Sequence, residues 1–400
     1  MARMTQAQMI QAENESEALL FFKNMLSSLP DPRRKQGTRY PLETVVVIAL
    51  MACVCTAENA QDMEDWGVMN EPWLSTFLEM PHGAPTQDVF LSVLGALKPE
   101  AFEQLLISWT NLLSFRLEGK HIAIDGKTSR GSADRANGKS ATHLLNAYCV
   151  EYGLVIGQMG VDSKANEITA MPELIKLLDI RGATITADAI SCQSKIASCV
   201  IDNGGNYLLA VKENQPLLHH DIETAFAFVD DPAKQEVTGL LPCTVERYEQ
   251  VEKDHGRLEE RTIELSRDIS WLSEPEKWSD INFFARVTRT RTIISTGKMS
   301  QEVAYYIGSD EGTDAKRAAE LVRNHWAIEN KVHWVLDMSF REDEARHRAG
   351  NSARNIATIR KFVLNIIKND KTRKHGVANA RKMAGWNRNK LINLLVNSAC

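Results

Sequence analysis

Three acidic residues sit in distinctive local strings: Asp125 in HIAIDGKTSRGS, Asp188 in ATITADAISCQ and Glu329 in RNHWAIENKVHWVLD. The first two lie in short runs of alternating or β-branched apolar residues, the pattern of strands. The third lies in a stretch with helical spacing. Carboxylates are hard oxygen donors and suit Mg2+ or Mn2+, where thiolates and imidazoles do not. Two strand aspartates converging with one helix glutamate can hold a pair of such cations for in-line attack on a phosphodiester. Taken singly, each aspartate could equally cap a turn or a helix, so the reading rests on the constellation.

The elements that must position these groups fall into two patterns. The first hundred residues read as helical. SEALLFFKNMLSSL has one apolar face and stops before DPRRKQG, and Pro41 suits the first turn of a helix from Leu42 to about Ala57. Two more helices are predicted after PHGAPT, at Asp88–Leu97 and Pro99–Leu113. From His121 the pattern turns to strands: HIAIDGK, LLNAYCVEY, LVIGQMGV, then a helix Glu167–Leu178, the strand ATITADAI, a helix Gln193–Asn203 and the strand NYLLAVK. A β-rich insertion follows, about residues 213–310, with a hairpin turn at His255–Gly256. The last carboxylate belongs to a helix beginning near Asp314. Trp326 and Trp334 are read as core anchors that clamp this helix onto the sheet.

Composition fits an ordinary globular protein: 400 residues, 44% hydrophobic and 25% charged. Seven cysteines form no paired spacing, and Cys53 and Cys55 read as buried free thiols. The first dozen residues are polar, and the most apolar run, Val45–Cys55, is about half the roughly 20 residues a membrane span needs. It reads as a buried helix, and the chain as cytoplasmic with no membrane partner. Net charge is −5, yet Arg341–Cys400 carries 14 Lys/Arg against four acids, leaving −15 for residues 1–340. That asymmetry makes the C-terminal end a candidate for phosphate contact, with a solvated basic tail as the plainer alternative. Arg33, Arg34 and Lys35 offer a second basic group.

Further strings join the three acidic motifs in order: DPRRKQGTRYPLETVVVIAL, YLLAVKENQ, FREDEARHR and RNIATIRKFVLNIIK. Together they resemble bacterial insertion-sequence transposases of the DDE type, closest to the H repeat-associated family, from about Phe21 to Lys368. The resemblance implies an α/β fold: a ribonuclease H-like catalytic core with a β-rich insertion, preceded by a helical N-terminal domain. The expected boundaries are 1–116, 117–368 and a basic tail 369–400. It further implies DNA strand cleavage and strand transfer at element ends, two Mg2+ or Mn2+ ions held by Asp125, Asp188 and Glu329, double-stranded DNA as partner, and a homo-oligomer, a dimer, in the DNA complex.

Asp125 would bridge both ions, with Asp188 and Glu329 completing one side each. Candidate DNA contacts are Lys127 and Arg130 after the first aspartate, Lys212, Asn214 and Gln215 after the fifth strand, and Arg323, His325 and Asn330 around the glutamate. Arg346 and Arg348 complete the set. The loop Ser129–Ser140 reads as mobile, with Arg135 and Lys139 able to help close it over DNA. The wider transposase class has Y-x2-R-x3-E-x6-K here, and this chain keeps only the glutamate, with Val322, His325 and Leu336 at the other positions. Three rival readings compete. A zinc hydrolase fails because His325 and His333 are eight residues, about 12 Å, apart along a helix. A relic that only binds DNA would have a broken triad. A ribonuclease H-like DNA nuclease without joining activity differs only by resemblance.

Overall fold

The structure is a computed structural model that describes residues 6–34, 36, 38–113, 116–134, 137–161, 166–231, 243–254 and 256–399. Lys35, Arg135 and His255, singled out above, lie outside the described residues. Five helices come first: α1 Gln6–Ser27, α2 Leu42–Val54, α3 Ala60–Leu74, α4 Gln87–Ala96 and α5 Pro99–Leu112. Every residue of α2 but Glu43 is buried, so the longest apolar run is the hub of a helical layer. Among the described residues no helix is long and apolar enough to cross a membrane. The sequence pattern missed α3, whose interior holds Gly67 and Pro72, both poor helix formers. The Asn59 side chain starts it by accepting from the Asp62 amide.

One nine-stranded sheet follows. Its strands are β1 His121–Ser129, β2 Thr142–Cys149, β3 Leu154–Val161, β4 Thr184–Ala187, β5 Asn206–Val211, β6 Glu246–Asp254, β7 Arg257–Ser266, β8 Phe283–Ile293 and β9 Met299–Gly308. The spatial order is β3-β2-β1-β4-β5-β9-β8-β7-β6. β1, β4 and β5 run parallel, joined through α6 Glu167–Leu177 and α7 Ser194–Asp202; all other neighbours are antiparallel. The β-rich insertion is thus no separate body: β9 pairs with β5 and extends the central sheet. Helix α8, Pro216–Asp230, packs against β8 and β9.

After the sheet come α9 Ala315–His325, α10 Trp334–Phe340, α11 Ser352–Asn369, α12 Val377–Trp386 and α13 Arg388–Val396. Asp314 caps α9, its carboxylate accepting from the Arg317 amide. Helix α11 is buried almost throughout and packs on α2, α4 and α5 and on β2 and β3. The C-terminal stretch read as a basic tail is folded: Ala380, Ala384, Leu391, Leu394 and Leu395 are buried in the same core as α1 and α2. Hydrophobic burial thus binds the two ends of the chain into one helical layer. The six described cysteines are free and buried, as Cys53 and Cys55 were expected to be.

Candidate active site

The sheet register sets the first two carboxylates side by side. Ile124 pairs with Ala187 across the parallel strands β1 and β4, so Asp125 and Asp188 are the next residue on each. This is the carboxyl end of β4, where open sheets bind ligands. Strand periodicity puts Asp125 on the same face as His121 and Ala123, the face crossed by α9. Gly126 follows because the opposite side is full. A Cβ there would lie 2.7 Å from His143 Nε2 and closer still to Glu167 Oε1, a buried pair bonded at 2.6 Å.

Glu329 does not sit in regular α-helix. It opens a π-helical turn, Glu329–His333, between α9 and α10. Such turns are rare and concentrate at functional sites. The Asp125 side chain is 16% exposed and the Asp188 side chain 64%. Burial, then the negative charge of Asp188 and more weakly of Glu329, pushes the Asp125 carboxyl up to about 7; His325 and the Gly126 amide, which donates to Oδ1 at 2.8 Å, oppose the rise.

One turn to either side of Glu329 stands a histidine, and each faces one aspartate. His333 Nδ1 lies 3.5 Å from Asp125 Oδ2, and His325 Nε2 lies 3.5 Å from Asp188 Oδ1. Burial pushes His333 down to about 3, so it is neutral, and its Nε2 is buried without a hydrogen bond. His325 is held from behind: its Nδ1 is 2.9 Å from the Thr186 hydroxyl, which is 2.6 Å from Nε2 of the buried His121.

A divalent cation can be tested against these groups. The donors fit in kind, since all three are carboxylates, and in charge, since Asp125 is perturbed by two acids that no lysine or arginine offsets. The side chains are not drawn into a coordination sphere: among the described residues no group of three or more His, Cys, Asp or Glu is gathered closely enough to hold a metal.

The other expected contacts separate into those near the site and those with work elsewhere. Lys212 lines a cavity of about 230 Å³ together with Asp188, His325, Tyr306 and Trp326. Arg323, Asn330 and Glu329 line a second cleft of about 360 Å³, with Arg261, Arg289 and Arg291 from the extended sheet. Trp326 borders both. It is 49% exposed and Trp334 is 59% exposed, so neither is the core anchor expected; Ile328, Val332 and Leu336 on the buried side of the rod do that packing.

Lys127 is 7% exposed, and its ammonium bonds both Asp337 oxygens at 2.7 and 2.8 Å, so it is spent inside the protein. Arg130 leans on Asp343 at 3.5 Å. Asn214 and Gln215 donate to the carbonyls of Ala189 and Cys192, each at 2.8 Å, and tie down the turn after Asp188. Arg346 and Arg348 are exposed beyond α10. Lys139 donates to the carbonyls of Arg348 and Gly350, which anchors a loop read as mobile. Glu344 pairs locally with Arg341, whereas Glu342 turns inward to Arg360 and Lys127.

Sequence reasoning missed His121, Thr186 and the arginines of β7 and β8. The alternation TRTRT in β8, which puts Arg289 and Arg291 on one face, was the available signal. Thr186 had none, since only the β1–β4 register reveals its partners.

Comparison with known proteins completes the picture. Residues 116–366 match the family described as Transposase DDE domain, and residues 23–110 match DDE_Tnp_1-associated. "Putative protein YbfL" of Escherichia coli K12 is 35% identical over 377 residues, 93% of this chain and 97% of that protein. "H repeat-associated putative transposase YhhI" of the same strain is 34% identical over the same shares of both chains. A piggyBac transposase from a synaptic complex with hairpin DNA is similar over 96% of this chain and 77% of its own, at 12% identity and a TM-score of 0.39. The chain belongs to the transposase DDE domain family, among its H repeat-associated members.

Proposed function

We propose that this protein cuts DNA strands at the ends of an insertion sequence and joins the freed ends to target DNA, using Asp125, Asp188 and Glu329. The observation that carries the reading is the placing of Asp125 and Asp188 at adjacent strand ends, with Asp125 raised by burial and then by the charges of Asp188 and of Glu329, which opens the π-turn. The first five strands, ordered β3-β2-β1-β4-β5 with helices between the parallel ones, support a ribonuclease H-like core. Divalent cations, Mg2+ or Mn2+, when bound would supply the charge that activates the attacking oxygen and steadies the departing one.

The chain's own residues prepare that event. Asp125 feels the charge of both other acids and is the natural shared ligand. His333 and His325 hold Asp125 and Asp188 in orientation, and the Thr186–His121 chain fixes the His325 ring. Lys212 is exposed on the cavity beside Asp188, where an ammonium can meet a strand phosphate. The arginines of the second cleft are paired with glutamates: Arg323 and Arg261 with Glu252, Arg291 and Arg261 with Glu259, Arg289 with Glu302. Part-exposed pairs of this kind are worth about 1 kcal/mol or less, so a phosphate backbone can displace them. Double-stranded DNA is the proposed partner, the dimer the proposed form in the complex, and the cytoplasm the proposed location.

The test is cleavage and joining of a labelled duplex carrying the DNA that flanks the gene, with Mg2+ or Mn2+. Folded wild-type protein should nick and join it, and Asp125→Asn should do neither while still binding. Undiminished cleavage by Asp125→Asn would refute the assignment, and cleavage without joining would reduce the protein to a nuclease.

A further inference from the structure

Residues 371–400 contain seven Lys/Arg and no acid, and the fold concentrates their charge. Helices α12 and α13 form a tight hairpin joined by Asn387, which ends the first and caps the second by accepting from the Asn389 amide at 2.9 Å. One of the seven, Arg381, is buried and structural: it donates to the carbonyls of Cys53 and Ser339 and stacks over Phe340. It tethers the hairpin to α10, on the rod that carries Glu329. Lys371, Lys374, Lys382, Arg388 and Lys390 are exposed, and Trp386 at the corner is 81% exposed.

Arg373, Lys374, His375, Lys390 and Asn393 surround a cavity of about 290 Å³. The single acid there, Asp370, spends Oδ1 on the Thr372 amide and hydroxyl and on the Asn397 amide group. Arg373 donates through Nη1 to the His375 carbonyl, and its Nε is buried without a partner. Helix α12 begins at Gly376 with no side-chain cap, so its first amides and the positive end of its dipole add to the same region. An unspent guanidinium donor and two free ammonium groups around one cavity, with an uncapped helix start following His375 in the chain, describe a phosphate site.

We propose that the α12–α13 hairpin is a second DNA contact, gripping the backbone of a duplex at Arg373, Lys374 and Lys390 and so positioning it for the Glu329 rod. The inference rests on the reading of the chain as a protein that acts on DNA. Charge complementarity selects the occupant, since a patch with one committed acid matches a polyanion. The acidic remainder of a second copy of this chain is the competing occupant.

The experiment measures duplex binding by full-length protein in EDTA, by fluorescence anisotropy across a salt series, for wild type and for Lys374→Ala/Lys390→Ala. Each lost phosphate contact lowers the slope of log K against log salt by about 0.9, so the double variant should lose about 1.8 in slope and on the order of tenfold or more in affinity. Both lysines are exposed, so the thermal midpoint should not move, and Lys374→Glu/Lys390→Glu should weaken binding further. An unchanged slope in a variant that binds duplex overturns the hairpin site and leaves the proposed function standing. Lost self-association in sedimentation with an unchanged slope overturns it in favour of a second copy. A wild-type protein with no duplex affinity overturns the hairpin and the function together.

Discussion

Glu329 and Asp337 stand eight residues apart on one helical rod, and each belongs to a group of three acids. In the group of Asp125, Asp188 and Glu329, His333 stands 3.5 Å from Asp125 and His325 3.5 Å from Asp188. Asp337, Glu342 and Asp343 surround the Lys127 ammonium at 2.7, 4.0 and 3.7 Å, with Arg360 behind Glu342. Lys127 and Asp125 come from the same strand face, two residues apart, so one strand serves both groups. The second group carries its own cation and is complete. In the first, burial and the charges of Asp188 and Glu329 raise the Asp125 carboxyl, a penalty that a divalent ion from solution would relieve.

The largest effect expected is on cleavage. Asp125→Asn, Asp188→Asn and Glu329→Gln should each lower it by on the order of 10³-fold or more. Asp337→Asn should stay within about tenfold of wild type in protein that remains folded. A gel assay on both sets decides it, and a dead Asp337→Asn beside an active Glu329→Gln would move the metal site one group along the rod.

Next comes stability. Lys127→Met leaves the part-exposed Asp337 without its cation and the buried Glu342 with Arg360 alone, at a cost of up to about 3–5 kcal/mol, the range for breaking a buried pair. Chemical denaturation should register a loss of that order, while the salt dependence of DNA binding stays unchanged. A smaller slope with intact stability would make Lys127 a DNA ligand after all.

The pH dependence of the metal-free protein separates the groups again. The folded Asp125 carboxyl is raised to about 7 from an ordinary 3.8, so between those values the folded state holds more protons than the unfolded state. Stability of protein in EDTA should therefore fall as pH rises from about 4 through 7, by no more than about 4 kcal/mol. Asp125→Asn should flatten that fall and melt higher than wild type at pH 8. A variant that melts lower would show that the carboxylate is not strained in the empty site.

The smallest change is steric. Gly126→Ala pushes a methyl into His143 and Glu167, at a cost of about 1–3 kcal/mol, and should cut activity only as far as Asp125 shifts. A fully stable Gly126→Ala would mean that the two side chains can move apart.

Periodicity located nearly every element that builds the first group. The β1 and β4 runs read as strands because their apolar residues alternate or are β-branched, β5 because Tyr207 and Val211 bound a short apolar run, and α9 read as a helix from near Asp314 onward. What stayed hidden was set by contacts between distant segments. Lys127 looks like a phosphate ligand until α10 brings Asp337 over it, 210 residues away in sequence. The Trp326 and Trp334 rings looked like anchors because large apolar residues usually are, yet the buried stripe of that rod is aliphatic. The C-terminal charge hid two helices, since Leu391, Leu394 and Leu395 find their partners only in α1 and the rest of the helical layer.

The π-turn at Glu329 has a consequence for how this sequence can be altered. A π-turn holds one residue more than the α-helix it interrupts, so α9 and α10 are offset by that residue. Excising a single exposed position from the turn, such as Lys331, would let the rod close into unbroken α-helix. The shortened protein should gain regular hydrogen bonds while Glu329 swings away from Asp125 and His333 loses its place beside it. Selection for heat resistance alone would favour that deletion and discard the chemistry. If the proposed function holds, the turn marks where the chain gives up the simpler helix to place Glu329.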